Sequence, residues 1–403
     1  MSEWTERTGP AAVRQEPAWA AVVSMTLGVF GLVTAEFLPA SLLTPMAADL
    51  GVTEGLAGQA VTATAAVALV TSLLVSTATR RIDRRFVLLA FSILLTVSNL
   101  LVAFAPGLPA LLLARVVLGV ALGGFWTMSA ATVMRLVPEA LVPRALSLLF
   151  SGVSAATVAA APLGSYFGDI IGWRGVFLIA AGLGVLALVV QFATLPRMAP
   201  SGTTRLRTLA EVLARPQVGL GMFAVLLVFT GHFAFFTYIR PFLETVTGVG
   251  ITGVSGILLG FGIANFLGTF LGGFLLERSM RLTMMLMPLT MGVLGFGLVA
   301  VGAGAPVADS VMVAVWGVAF GAVPVAWSTW LTRTVPDEAE SAGGLLVAAV
   351  QLAIATGAAA GGAVFDVSGA LGVFTGAGFV LLAAAALIVA GIRARTTTAA
   401  AQA

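Results

Sequence analysis

The chain of 403 residues contains no lysine and no cysteine, and it has a single histidine, His232. Charged residues make up only 9% of it, against about 25% in soluble domains. Each shortage excludes something. Without cysteine there are no disulfides or thiolate metal sites, and thiol usage says nothing about compartment. One histidine cannot build a multi-histidine centre, so no metal is expected. No P-loop occurs, which argues against ATP as an energy source, and no HExxH occurs. Nucleophiles and acids do not cluster, which argues against an enzyme. All 20 basic residues are arginine. They fall in short turns between apolar segments and not on one basic face, so no nucleic-acid partner is expected.

Apolar length is abundant. Hydrophobic residues make up 59% of the chain, and the mean hydropathy is +1.08. That is more apolar surface than one water-facing core can hide, and it predicts a polytopic membrane protein. A hydrocarbon core about 30 Å thick needs roughly 20 apolar residues in a helix. Twelve such runs occur, near 19–43, 57–78, 86–104, 110–134, 145–169, 174–194, 218–241, 254–276, 282–302, 310–331, 342–365 and 370–392. The first is too long for a signal-peptide core and is read as a retained helix. With a cytoplasmic N-terminus, 17 arginines fall on the inner side. The other three, Arg115, Arg174 and Arg240, lie near outer helix ends. This bias predicts that both termini are cytoplasmic.

The longest polar interruption, 195–217, divides the helices six and six. The expected organisation is a cytoplasmic tail (1–18), a six-helix bundle (19–194), a cytoplasmic loop (195–217), a second bundle (218–393) and a cytoplasmic tail (394–403). The halves resemble each other. Gly119, Arg135 and Pro138 in 118–140 align with Gly317, Arg333 and Pro336 in 316–338. After one gap, Gly164 and Asp169 align with Gly361 and Asp366. The fold class predicted is all-α, with twelve transmembrane helices in two pseudo-symmetric six-helix bundles.

Glu36 stands in an otherwise uncharged run, where an acid costs about 2.5 to 3.5 kcal/mol at mid-membrane. It needs a cavity or a partner. Arg115 lies at similar depth, roughly 9 to 14 Å below the outer boundary marked by Pro45 and Pro109. The pair reads as a proton-coupling site or as a static ion pair that fixes packing. His232 lies nine residues before Pro241, as Glu36 lies nine before Pro45, so the repeat points both at one central cavity. It reads as a titrating group or as a neutral histidine bonded to a neighbouring helix. The aromatic residues around it could stack on a flat ligand or face lipid. Trp126 and Trp327 read as cavity lining, whereas Trp316 and Trp330 fit an interfacial belt. Asn99, Gln59, Asn265 and Gln351 read as interhelical hydrogen-bonders or substrate contacts. Asp83 and Arg84, in "TRRIDRR", read as an inner-gate latch or a topology-setting turn. Pro162 and Gly164 read as a bend in helix five or a packing kink.

Together with the two six-helix repeats and the basic central loop, "RVVLG", "AAAPLG" and "GWRGVF" make the chain resemble the major facilitator superfamily, in particular its drug–proton antiporter branch. The resemblance covers nearly all of the chain between Trp19 and Arg395. "EFLPASLLTPMAADLG", "LGGFWTMSA", "FAFFTYIRP" and "PVAWSTW" are similar to that branch's purine ribonucleoside and sugar exporters. The chain departs from the branch at Thr79 and Ala161, where glycine is the commoner residue. The resemblance implies export of a small polar molecule in exchange for protons, most simply purine ribonucleosides such as inosine and guanosine. Sugar or multidrug efflux is the alternative. It implies proton coupling at Arg115, joined here by Glu36 and His232, and an antiporter motif at Pro162 and Gly164. Expected substrate contacts are Trp126, Phe235, Tyr238, Trp327, Gln351 and Asn265. No cofactor beyond a proton gradient is expected. The expected partners are protons, a nucleoside-like molecule and the lipid bilayer, with the chain acting as a monomer in a bacterial cytoplasmic (inner) membrane.

Overall fold

The computed structural model describes residues 16–138, 141–200, 206–301 and 304–391. Residues 1–15 of the first expected tail, all of the second, and residues 201–205 of the expected loop lie outside the described residues.

The described residues are helical nearly throughout. The long helices are α1 (Trp19–Ser41), α3 (Glu54–Ala78), α4 (Arg84–Ala103), α5 (Leu108–Leu136), α6 (Val142–Ile170), α7 (Gly172–Thr194), α9 (Val218–Thr237), α11 (Ile251–Arg278), α12 (Met280–Val301), α13 (Pro306–Thr334) and α14 (Ala339–Gly391). Short helices α2 (Leu43–Leu50), α8 (Leu206–Leu213) and α10 (Ile239–Phe242) lie between them. Their limits follow local chemistry. Thr53 caps α3 by accepting from the Leu56 amide at 3.1 Å. Asp83 caps α4 by accepting from the Arg85 amide at 2.8 Å. Proline opens α5, α6 and α13, where a missing N–H costs nothing. Gly51 ends α2 with φ 65°.

Among the described residues, eleven helices are long and apolar enough to cross a membrane. The last, α14, has 53 residues. Unbroken, it would run about 80 Å, more than twice the hydrocarbon thickness. Gly369 interrupts it with φ 64° and ψ −168°, a backbone suited to glycine. It therefore makes two crossings, which brings the total to twelve. The runs placed at 342–365 and 370–392 flank this break. The run at 218–241 is shorter than expected: α9 stops at Thr237, and α10 with a π-turn over Leu243–Thr247 follows.

Helices pack mainly within their own half. In the first half α1 lies on α6 and α7, α3 on α5, and α4 on α5 and α7. In the second, α9 lies on α14, α11 on α13, and α12 on both α13 and α14. The repeat shows in the contacts. A β-carbon on Gly119 of α5 would sit 2.5 Å from the Thr64 carbonyl oxygen of α3, and one on Gly317 of α13 would sit 2.6 Å from that of Phe261 in α11. Small residues at matching places let matching helix pairs approach closely.

The halves meet chiefly through α3 with α14 and α6 with α11. At the end where α1 and α9 finish, contact is intimate. Gly55 and Gly58 of α3 lie so close to Asp366 and to the Tyr238 hydroxyl that a β-carbon at either would force those side chains to shift. The arginine-bearing turns after α3 and α11 lie at the opposite end. Large apolar side chains such as Phe104, Leu113, Phe192 and Phe270 are exposed on the outer surface, as a lipid-facing wall requires. Trp316 and Trp330 are not part of an interfacial belt. They are 0% and 1% exposed, because α13 turns them inward. Trp316 lies flat on Phe235 of α9, with centroids 3.8 Å apart.

Candidate functional site

A cavity of about 570 Å³ lies between the halves, within the range of small-molecule sites. Helix periodicity selects its walls. On α1, Val33, Glu36 and Phe37 face it; on α9, Phe229, His232, Phe233 and Phe236 do. Both sets follow the three- and four-residue spacing of one helix face. Phe261, Asn265 and Thr269 of α11, Phe320 and Trp327 of α13, Gln351 of α14, Trp126 of α5 and Phe150 of α6 complete the wall. Trp126 stacks on Phe150, with centroids 6.2 Å apart. The site is aromatic, with a few polar groups set into it.

Six of the residues singled out from the sequence therefore share one cavity: Glu36, Trp126, His232, Asn265, Trp327 and Gln351. Glu36 and His232 are the two titratable side chains on its wall. Phe235 and Tyr238 are not on the wall. A helix turns about 100° per residue, which swings position 235 to the side of the face holding 229, 232, 233 and 236, and position 238 to the opposite face. Phe235 is buried between Trp316 and Phe374. Tyr238 donates to the Ala358 carbonyl at 3.0 Å.

Arg115 is fully buried but does not touch Glu36. Its Nη1 donates to the Ala35 carbonyl at 2.8 Å and its Nε to that of Ala60 at 3.2 Å. The guanidinium thus pins α5 to the backbones of α1 and α3. The expected direct pair is absent because the arginine reaches main-chain oxygens first. Glu36 Oε1, Gln351 Oε1 and Arg115 Nη2 are buried without a hydrogen-bond partner among the described residues.

His232 is held more fully. Its Nδ1 accepts from Trp316 Nε1 at 3.1 Å, and its ring lies on Phe320 with centroids 3.2 Å apart. Indole nitrogen only donates, so Nδ1 carries no proton and the imidazole is neutral with Nε2–H. Nothing in the order of residues marks Trp316 as the partner.

The other singled-out residues lie away from the cavity. Asp83 accepts from the Met198 amide at 3.0 Å, and the Arg84 amide donates to the Met198 carbonyl at 3.0 Å. Both bonds clamp the turn before α4 to the segment after α7, within one half. Pro162 lies inside α6. A β-carbon on Gly164 would sit 2.5 Å from Ser41 Oγ, so α6 runs tight against the end of α1. Arg240 has only its place near an outer helix end to single it out in the sequence. Arg240, 4% exposed, donates from Nη1 to the Ser41 carbonyl at 2.5 Å and pairs with Glu244 at 2.7 Å.

The chain as a whole has counterparts among known proteins. The chain is 46% identical over 393 residues to the purine ribonucleoside efflux pump NepI of Shigella dysenteriae serotype 1, covering 98% of this chain and all of that protein. It is equally similar to NepI of Escherichia coli K12, covering 98% and 99%. NepI of Salmonella enteritidis PT4 is 46% identical over 377 residues, covering 94% and 95%. The crystal structure of a D-xylose-proton symporter superposes with a TM-score of 0.75 at 17% identity, covering 93% of this chain and 97% of that one, and shows a shared fold. Residues 25–355 match the family profile described as Major Facilitator Superfamily. With that match, the full-length relatives and twelve crossings in two packed halves, the chain belongs to the Major Facilitator Superfamily.

Proposed function

We propose that this chain is a transporter and not an enzyme: a proton-coupled exporter of purine ribonucleosides, inosine and guanosine among them. It works in a bacterial cytoplasmic membrane with both termini inside, as a monomer and without a cofactor beyond the proton gradient. One observation carries the reading: a single cavity joins aromatic faces to the unpartnered acceptors Glu36 Oε1 and Gln351 Oε1. Flat bases stack on aromatic rings, and hydroxyl or N–H groups of a nucleoside would satisfy the acceptors. The names of the 46% identical relatives supply the substrate class.

With the arginine-rich turns inside, the tight end at Arg240 and Gly55 is the outer one, and the conformation is closed to the outside. Glu36 is the proton carrier in this proposal. A buried carboxylate oxygen without a donor is costly while ionised, so this form suits the protonated acid. A proton arriving from outside neutralises Glu36 and favours closure there. Its release to the cytoplasm leaves the carboxylate facing Arg115 across the α1 backbone. Nucleoside then enters from inside and contacts Trp126, Trp327, Asn265 and Gln351. Asp83, Arg84, Pro162 and Gly164 serve gating through the positions of α4 and α6.

The test is substrate-driven proton movement in liposomes holding the purified protein. The panel is inosine, guanosine, xylose and a lipophilic cationic dye. Inosine and guanosine should move protons and the others should not. Proton movement with xylose or the dye alone would replace the nucleoside reading by a sugar or drug one.

A further inference from the structure

We propose that Trp316 is a positioning residue that locks His232 as an Nε2–H donor on the cavity wall, aimed at an acceptor atom of the substrate. Nδ1 is occupied by the indole N–H at 3.1 Å. Nε2 has no protein partner among the described residues, and the ring borders the cavity. Phe320 and Phe261 lie parallel to the ring, with centroids 3.2 and 6.2 Å away. Phe235 lies flat against Trp316 at 3.8 Å and fixes the indole. The ring can neither flip, tautomerise nor take a second proton without losing the Trp316 bond. From α11 and α13 the imidazole is faced by Phe261, Trp316 and Phe320, none of which titrates; Glu36 of α1 is the other titratable group on the cavity wall. A neutral donor among acceptors suits a purine, whose carbonyl and ring nitrogens accept. Glu36 and Gln351 are left for its hydroxyl and N–H groups. The substrate part of this inference rests on the exporter reading; the tautomer lock does not.

His232 is the only histidine, so histidine labelled with nitrogen-15 reports one imidazole when the full chain is purified through a histidine-free tag. The wild type in liposomes should show a bare Nδ1 and a protonated Nε2 from pH 6 to 8. Trp316→Phe should show mixed tautomers. Its KM for inosine should rise about tenfold, the loss of roughly one hydrogen bond, with turnover changed far less. His232→Gln, which keeps an N–H donor, should retain part of the affinity that His232→Phe loses. A proton on Nδ1 in the wild type, or an unchanged tautomer in Trp316→Phe, overturns the lock. The wild-type spectrum decides this even where the variant does not fold. An unchanged KM in Trp316→Phe or His232→Phe overturns the substrate contact. Wild-type liposomes that move no inosine overturn the exporter reading and the substrate contact together, and leave the spectrum to decide the lock.

Discussion

Arg240 of the second half donates to the main-chain oxygen of Ser41, the last residue of α1, at 2.5 Å. The carbonyl end of a helix carries partial negative charge, and a guanidinium is well matched to it. Glu244 holds the arginine in place at 2.7 Å. This contact ties the two halves where they close.

Replacing Arg240 with alanine should therefore loosen that end. The native chain has no cysteine, so a single Val61→Cys, at a site 5% exposed in this form, gives labelling without background. Arg240→Ala should raise its labelling rate from the outside about tenfold, equivalent to roughly 1.4 kcal/mol. Arg240→Lys should fall between, since it keeps the charge and loses the fork. Equal rates in all three proteins would show that the contact does not hold the closed form.

Glu36→Gln should leave a folded protein that exchanges labelled inosine for unlabelled inosine but no longer concentrates it against a gradient. The amide is neutral in both directions and cannot carry a proton. Uphill inosine transport that persists in the variant and collapses with an uncoupler would assign the coupling elsewhere.

Outside the spans, the hydrogen bond from Arg174 holds the Asp49 carboxyl below its usual range, with a smaller contribution from Trp173. A lowered carboxyl stabilises the fold above its unfolded pKa, and that contribution is lost as pH falls through the lower folded value. The pair is partly exposed, at 38% and 48%, so the effect is small. Melting curves in detergent should thus show a slight loss with Asp49→Asn at neutral pH, and that loss should fade as the pH is lowered through the depressed folded pKa of Asp49. A larger cost of the variant in acid than at neutral pH would reverse the sign.

Gly317→Ala should destabilise by about 1 to 3 kcal/mol, because its methyl would meet the Phe261 carbonyl oxygen at 2.6 Å and the backbone must give. Gly119→Ala, against the Thr64 carbonyl at 2.5 Å, should match it. Gly182→Ala, with nothing within 4 Å, should be neutral or slightly stabilising, since alanine favours helix. Thermal melts that fail to separate the first two from the third would show that close approach is not needed.

Residue order alone carried the membrane class, the twelve crossings and the twofold repeat. These depend on local quantities: an apolar run either spans the bilayer or does not, and a glycine or arginine at one offset recurs or does not. It also brought Glu36 and His232 to one cavity, since a charge or imidazole in lipid needs an interior face. Tertiary packing decided the rest. Phe235, Tyr238 and Trp316 are aromatic residues of the same kind as their neighbours, and only the rotation of α9 and α13 says which rings meet the cavity. Arg115 chose carbonyl oxygens over Glu36, and Arg240 found Ser41 across 199 positions of chain. Such contacts arise from helices brought together by the fold, and the spacing of residues along one helix holds no record of what faces it.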